Sequence, residues 1–401
     1  MAPDTPAVVV GAGINGLGVA RSLIRAGVPT WLLDADVHRP GMYTRKVHPV
    51  RIASLHGDAL IDELLRVAIN RFAEVRPVLL LTQEESVRLV SRERDRLSPR
   101  YRFSLPPPDI LEALQHKHGF QRLAEQHVCP IPPLKNIRCV SDLHDIGNLH
   151  YPVVIKPGAR HAEYSRQFKK AYRVDNAREA AELVRCMLPV LADIVVQEWT
   201  EGPDSNIYFC LQYLDGQGRV TASFTGRKVR SWPPQVGGTA SCTPAPEAHA
   251  ELSALTTRFF RDVGAIGMAA MEYKRDARTG KFRMVEPTIG RTDYQAEIAT
   301  LNGVNLPCAA YCAETSETSV VQAQSSRRWG WRVRTEDEQS AALQHQDPRD
   351  GFGEVAGVAD ALWRASDPAP YLAQAWQRVT HALRKPVARL TPKTQGVGVR
   401  T

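Results

Sequence analysis

The strongest constraint on the fold is the regular alternation of apolar and amphipathic segments in the N-terminal quarter of the chain. Three short apolar runs have the length and composition of buried strands: Ala7–Val10, Val28–Asp34 and Pro77–Thr82. Between them, Asn15–Ala26 and Asp58–Ala73 have apolar residues at helical spacing. Strands that alternate with helices over short connections form a parallel sheet. Residues 1–108 are therefore predicted to be a Rossmann-like α/β domain that ends in the proline run Pro106–Pro108.

The rest of the chain predicts two further lobes and an extension. Residues 109–196 indicate a small α+β lobe, with a helix over Ile110–Gln126 and a strand over Val153–Lys156. Residues 197–321 contain two hairpin patterns and predict a larger α+β lobe with an antiparallel sheet. In residues 322–401 we expect irregular structure over 322–350, one helix near Pro370–Leu383, and a disordered tail from Pro386.

Composition excludes several classes of protein. The 401 residues are 43% hydrophobic and 23% charged, as in a globular protein of more than one lobe. Apolar runs are too short to cross a bilayer and no signal peptide is recognised, so we expect a cytoplasmic protein without a membrane partner. Seven cysteines without a Cys-x-x-Cys pair indicate neither a disulfide framework nor a zinc site. The net charge of +8 comes from scattered residues and favours small anionic ligands over nucleic acid.

A glycine-rich turn, Gly11–Gly16, follows the first strand and opens a helix. Asp34 ends the next strand about 20 residues on, which is the spacing of a dinucleotide-binding fingerprint. A Rossmann-type NAD(P)- or flavin-dependent oxidoreductase is therefore an alternative function. Many α/β domains open with the same turn and bind no nucleotide there, and no residues suited to hydride transfer follow. The structural role of this turn is the favoured interpretation.

Two carboxylates on one predicted hairpin give the clearest chemical signal. A three-residue loop, Arg278–Gly280, would pair Ala277 with Lys281 and, counting back, Glu272 with Glu286. Opposed residues share a face with Cβ atoms roughly 5 Å apart, and two carboxylates at that distance suit a shared hard cation such as Mg²⁺. The alternative is a solvated face on which the two side chains splay apart. Beyond the second carboxylate, Arg291 is suited to a site that holds a transferring phosphoryl group.

The ordered set of motifs resembles the ATP-grasp carboxylate–amine ligases, and within them the branch that includes D-aspartate ligase. The likeness spans residues 7–315 and includes these motifs in order: Lys117, Val153-Val154-Ile155-Lys156-Pro157, Val196-Gln197-Glu198-Trp199, Gly202-Pro203-Asp204, Glu272 and Glu286. The resemblance implies an ATP-grasp fold in which a Rossmann-like domain precedes a small lid lobe and a larger catalytic lobe. It also implies ATP with one or two Mg²⁺ ions as cofactors, with Mn²⁺ as a substitute.

The resemblance assigns a role to each of these residues. Lys117 and Lys156 would hold the ATP phosphates, for which a flexible ammonium is suited. The strand Gln197-Glu198-Trp199 would contact adenine through its backbone, and Asp204 would lie near the ribose. Glu272 and Glu286 would bind the metal. Surface or core roles are the plain alternatives for each residue.

The basic segment Phe224–Pro233 resembles the substrate-side loop of the D-aspartate ligase branch. Alternation along the strand places Arg227 on one face and Lys228 with Arg230 on the other. Either arginine is suited to a substrate carboxylate or an acyl-phosphate, because a guanidinium binds such groups in a bidentate manner. The chain departs from the family where Glu-x-Asn-x-Arg is usual: Thr288 replaces the asparagine, and Gly290 delays Arg291 by one position.

The resulting hypothesis is an ATP-dependent ligase that forms an amide through an acyl-phosphate and releases ADP and phosphate. Its partners would be a small carboxylate, an amine and, as in related enzymes, a second copy of the chain in a homodimer. A non-catalytic ATP-binding protein is the other alternative, because the usual asparagine is missing.

Overall fold

The computed structural model describes residues 5–158, 161–235, 237–316, 322, 324–325 and 328–384. It contains three β-sheets, and the predicted tail from Pro386 lies outside the described residues. No helix within the described ranges is both long and apolar enough to cross a membrane.

The first sheet is parallel, in the order β3-β2-β1-β4, as the alternation of segments predicts. Its elements are β1 (Ala7–Val10), α1 (Ile14–Arg25), β2 (Thr30–Asp34), a 3-10 turn (Pro40–Tyr43), β3 (His48–Arg51), α2 (Gly57–Arg71), β4 (Val78–Leu81), α3 (Glu84–Arg92) and α4 (Arg94–Leu97). β3 was not predicted, because this edge strand is mostly exposed and has no apolar run.

The second sheet is small and antiparallel, in the order β5-β8-β6-β7. Its lobe comprises α5 (Pro108–Gln115), α6 (Lys117–Gln126), β5 (Leu134–Ile137), a 3-10 segment (Val140–Asn148), β6 (Val153–Pro157), α7 (Ala162–Gln167), β7 (Tyr172–Val174), α8 (Ala177–Met187) and β8 (Ile194–Glu198). The single helix predicted over Ile110–Gln126 is wrong. The chain is extended at His116 (φ −101°, ψ 129°), so that Lys117 begins a second helix.

The third sheet has seven strands in the order β13-β12-β9-β10-β11-β14-β15. Its lobe comprises a 3-10 turn (Asp204–Asn206), β9 (Ile207–Leu214), β10 (Val220–Trp232), β11 (Gly238–Pro244), a 3-10 turn (Pro246–Ala248), α9 (His249–Asp262), β12 (Gly267–Arg275), β13 (Phe282–Ile289), α10 (Ala296–Leu301), α11 (Leu306–Thr315), β14 (Trp329–Arg332), α12 (Arg334–Leu343), β15 (Gly357–Asp360) and α13 (Ala369–Arg384).

The prediction of irregular structure over residues 322–350 is wrong for residues 329–343. β14 pairs with β11, and α12 packs on β10 and β11, so this segment extends the large sheet. It was not recognised because α12 buries only Asp337, Ser340 and Ala341, and β14 has no alternation long enough to identify a strand. The predicted final helix is confirmed as α13.

The cores show how the lobes relate to one another. One continuous cluster runs from Val8 and Leu79 of the parallel sheet to Tyr208 and Met271 of the large sheet. The small sheet has its own core, which includes Ile155 and Val184. The parallel and large sheets are therefore packed together, and α5 and α6 belong to the same core through Leu111, Leu114, Phe120 and Ala124. The small sheet with α8 forms a core of its own beside them.

Candidate nucleotide-binding and catalytic site

A cleft lies between the small antiparallel sheet and β13, which is an edge strand of the large sheet. Its lining includes five of the residues that the sequence analysis selected: Lys117, Lys156, Gln197, Glu286 and Arg291. The small lobe contributes the first three of these, and β13 with the segment after it contributes the last two. Two cations, Lys156 of the small sheet and Lys117 of α6, therefore line the same space as the Glu286 carboxylate.

The predicted pairing of Glu272 with Glu286 is confirmed, although the reasoning behind it was incomplete. The connection is a four-residue loop, since the backbone N–H of Asp276 donates to Lys281 O at 2.9 Å and Arg275 pairs with Phe282. This shifts the register by one residue relative to the prediction. A β-bulge beside Glu272 then restores it, so the two glutamates are opposed after all.

Lys228 is the principal residue that the sequence analysis did not select. Its Nζ lies 2.8 Å from Oε2 of Glu272, and its side chain is only 4% exposed. Gly226 pairs with Phe209, which in turn pairs with Glu272, so Lys228 and Glu272 belong to the same face of the large sheet. The order of β10, β9 and β12 brings them together, and no local pattern in the sequence reveals that order.

The electrostatics of the cleft centre on Lys156, at the end of β6. Its Nζ donates to Oε1 of Gln197 at 3.0 Å. Desolvation, and then repulsion from Lys117, lower the pKa of Lys156 to about 8, although Glu286 and Glu272 act in the opposite direction. The Nζ of Lys117 donates to Pro157 O at 2.8 Å, so the two ammonium groups stand close to the same turn of chain. Such a pair of cations is suited to a polyanionic ligand.

The strand predicted to contact adenine is the last strand of the small lobe. The backbone N–H groups of Glu198 and Trp199 already donate to Pro133 O and Pro152 O, each at 2.9 Å. The Glu198 carboxylate accepts from His150 N at 2.9 Å. These bonds hold the strand that borders the cleft.

Asp204 is buried and holds the end of β10. Its two carboxylate oxygens accept from Ser231 N and Gln235 N, each at 3.0 Å. Its neighbour Lys274 is also buried, donates to Pro203 O at 3.0 Å and lies 5.9 Å from the centre of the Trp199 ring. The structure therefore supports a positioning role for Asp204 in this segment, and ribose binding stays a prediction.

The two arginines selected from the basic segment lie away from the cleft lining. Arg230 is 1% exposed and its Nε is 2.7 Å from Oδ1 of Asp337 on α12. The expectation that Lys228 and Arg230 share a face is wrong, because β10 has register shifts between Lys228 and Ser231. Arg227 donates to Gly351 O at 3.2 Å. Both arginines thus bind the C-terminal segment, which favours a structural role for them.

The polar groups of the glycine-rich turn form hydrogen bonds with other residues of the protein. Asp34, which would bind a ribose in a dinucleotide site, instead accepts from Ala12 N at 2.6 Å. Asn15 donates to Thr82 O at 3.1 Å and to Thr292 O at 2.8 Å, and accepts from the Thr292 hydroxyl at 3.0 Å. The turn therefore fastens the parallel-sheet domain to the segment that follows Arg291. This geometry does not favour the oxidoreductase alternative.

Arg291 lies between the cleft and the contact that Asn15 makes with Thr292. Its Nη1 donates to Thr292 O at 3.0 Å and lies 3.8 Å from Asp293, while 19% of its side chain is exposed. Gly290 has a φ of +71°, and a Cβ there would lie 2.7 Å from Val87 and Leu105 of the parallel-sheet domain. The extra glycine that delays Arg291 therefore permits the close approach of β13 to that domain.

Comparisons with known proteins agree with this architecture. No protein-family profile and no curated protein matches the sequence. Among solved structures, N5-carboxyaminoimidazole synthetase from Staphylococcus aureus complexed with ADP is 13% identical, with a TM-score of 0.63 over 82% of each chain. The biotin carboxylase domain of 2-oxoglutarate carboxylase from Hydrogenobacter thermophilus, described with MgADP and bicarbonate, is 13% identical with a TM-score of 0.61, covering 80% of this chain and 72% of that chain. Biotin carboxylase from Campylobacter jejuni is 12% identical, with a TM-score of 0.60 over 79% and 72%.

These likenesses establish the fold of the chain. It is the ATP-grasp fold, as the sequence analysis predicted. Sequence identities this low leave the reaction to be argued from the site, and the D-aspartate ligase branch stays a prediction.

Proposed function

We propose that the chain is an ATP-dependent ligase that joins a carboxylate to an amine through an acyl-phosphate. One observation supports this most: Lys117 and Lys156 of the small lobe share a cleft with Glu286, whose partner across the hairpin is Glu272. Two cations on one side and a pair of carboxylates on the other suit a triphosphate that carries a divalent cation. The solved structures of the same fold that were described with ADP or MgADP add support.

The residues present fit a magnesium ion of this kind. The described residues contain no cluster of three or more Asp, Glu, His or Cys side chains able to hold a metal by themselves. Mg²⁺ in phosphoryl-transfer sites is usually bound by one or two carboxylates together with substrate phosphates and water. Glu272 and Glu286 supply that number. When bound, the ion would neutralise the charge that develops on the phosphates.

The roles of the chain's own residues follow from their positions. Lys117 and Lys156 would hold the phosphates, and Lys228 would place a third ammonium beside Glu272. Arg291 would orient the carboxylate substrate where the cleft meets the parallel-sheet domain. No covalent nucleophile is required, because positioning and charge stabilisation suffice for phosphoryl transfer.

The proposed reaction has two steps. A carboxylate oxygen of the substrate forms a bond to the γ-phosphorus of ATP, and the bond from that phosphorus to the β,γ-bridging oxygen breaks, which releases ADP. The amine then attacks the carbonyl carbon of the acyl-phosphate, loses a proton, and displaces inorganic phosphate to leave an amide. A homodimer stays a prediction.

The test is a screen of small acids paired with amines for ADP release, with mass detection of the amide. With an active pair, Glu286→Gln and Glu272→Gln should each reduce ADP release by at least ~100-fold, comparable to the loss of one transition-state contact. Glu182→Gln is the matched control, since Glu182 lies on α8 with 62% of its side chain exposed. Glu286→Gln and Glu182→Gln should unfold at the temperature of the unmodified protein, whereas Glu272→Gln should unfold at a lower one, because it removes the carboxylate paired with the buried Lys228.

Full turnover by Glu286→Gln would contradict the proposed site. Stabilisation by Mg-ATP without any acid-stimulated ADP release would instead support the non-catalytic alternative. Binding of NAD(P) or a flavin, seen as absorbance of the purified protein, would favour the oxidoreductase.

A further inference from the structure

The final helix, α13, exposes an apolar stripe to solvent. Leu372, Trp376 and Val379 are 56%, 69% and 52% exposed, and their spacing places them on one face. The opposite face is attached to the protein, because Gln374 and Gln377 donate to His38 O at 2.8 and 3.3 Å. The stripe is therefore presented on an anchored helix, and exposed apolar groups clustered in this way commonly mark a contact with another molecule.

The charge of the same part of the chain is distinctive. From Pro368 to Thr401 the sequence contains no Asp or Glu. It contains six basic residues: Arg378, Arg384, Lys385, Arg389, Lys393 and Arg400. The segment thus has a charge of +6, against +8 for the whole chain. In the rest of the chain 45 Lys and Arg are offset by 43 Asp and Glu, whereas no acidic residue offsets the six cations here.

We infer that α13 and the segment after it bind the surface of an anionic lipid bilayer. Helices that lie in the membrane interface combine a Trp- and Leu-containing apolar face with Lys and Arg, and anionic headgroups attract each cation. This goes beyond the proposed ligase activity and does not rest on it. It also differs from the sequence expectation, which excluded a membrane partner.

Two other binding partners for the exposed stripe of α13 fit the observations less well. A second copy of α13 would bring the all-cationic segments together, and like charges repel. Single-stranded nucleic acid matches the charge, but it is held by bases stacked on aromatic rings, and Trp376 is the only exposed aromatic side chain in the stripe. Leu372 and Val379 are suited to an acyl-chain boundary.

The test is co-sedimentation of the full chain with phosphatidylcholine vesicles prepared with and without phosphatidylglycerol. We expect binding only to the anionic vesicles, and release at high salt. The double variant Leu372→Ser/Trp376→Ser should reduce partitioning by at least ~10-fold, because it removes the groups that enter the interface. Leu343→Ser is the matched control, since Leu343 is 64% exposed on α12. Truncation after Arg384 removes four of the six cations and should also weaken binding.

Absence of binding to anionic vesicles would overturn the inference. So would equal sedimentation of the double variant, because charge alone would then account for the binding. A dimer in gel filtration that the double variant converts to a monomer, without vesicle binding, would assign the stripe to a second copy. Binding to homopolymeric RNA but not to vesicles would assign the segment to nucleic acid.

Discussion

Protonation of Lys156 should couple nucleotide binding to pH. Burial beside Lys117 lowers its pKa from 10.5 to about 8, so the group is partly neutral in mildly alkaline solution. In the proposed site the nucleotide phosphates would stand beside its Nζ and favour the ammonium form. Binding of Mg-ATP should therefore raise the pKa of Lys156, and the protein should take up a proton from solution wherever Lys156 was neutral beforehand.

The size of the effect follows from that pKa. Uptake should be ~0.1 proton near pH 7, ~0.5 near pH 8 and ~0.9 near pH 9. The apparent affinity for nucleotide should fall by about tenfold between pH ~7 and pH ~9, equivalent to about 1.4 kcal/mol. Without nucleotide, the unfolded chain binds more protons than the folded one between about pH 8 and 10.5, so stability of the free protein should rise with pH in that window.

Calorimetric titration with a non-hydrolysable ATP analogue and Mg²⁺, in two buffers of different ionisation enthalpy, measures this uptake directly. The matched control is Lys156→Arg, because a guanidinium stays charged throughout the range. That variant should bind the analogue without proton uptake and without the decline at alkaline pH. The reasoning is refuted if the unmodified protein takes up no proton near pH 8, or if Lys156→Arg has the same pH dependence.

Two further predictions concern structural residues. Arg230→Ala should destabilise the protein by about 3 kcal/mol, because it removes the nearest cation from the fully buried Asp337 and leaves Arg332, at 3.5 Å, to compensate the charge. Arg227→Ala should have little effect on the denaturation midpoint, and an equal midpoint for both variants would contradict the assignment. Gly16→Ala should impair folding, since its Cβ would lie 1.8 Å from Gly11 O, whereas Gly13→Ala meets nothing within 4 Å and should be tolerated. Circular dichroism and soluble yield distinguish the pair, and tolerance of Gly16→Ala would contradict the packing role.

The parts of the site that the sequence predicted are those encoded by local pattern. A strand that ends in Lys156-Pro157 and a hairpin with Glu272 and Glu286 are recognisable because strand period and turn chemistry are local properties. The predicted pairing of Glu272 with Glu286 is correct only because two differences from the prediction cancel. The loop has four residues instead of three, and a bulge restores the register. Bulges depend on packing on both faces of a sheet, which a single strand's sequence does not specify.

The amino-acid sequence alone was enough to predict the parallel N-terminal sheet, the ATP-grasp fold and the hairpin that carries both glutamates. The bulge that opposes those glutamates, and the partners that come from distant strands, are properties of the folded protein. In the folded protein Lys228 pairs with Glu272 and Arg230 pairs with Asp337. Asp34 and Asn15 form hydrogen bonds within the protein. The reason is physical: the direction of a side chain follows from its own strand, but the charge it meets depends on which strands lie beside it. That order is fixed by the burial of whole sheet faces.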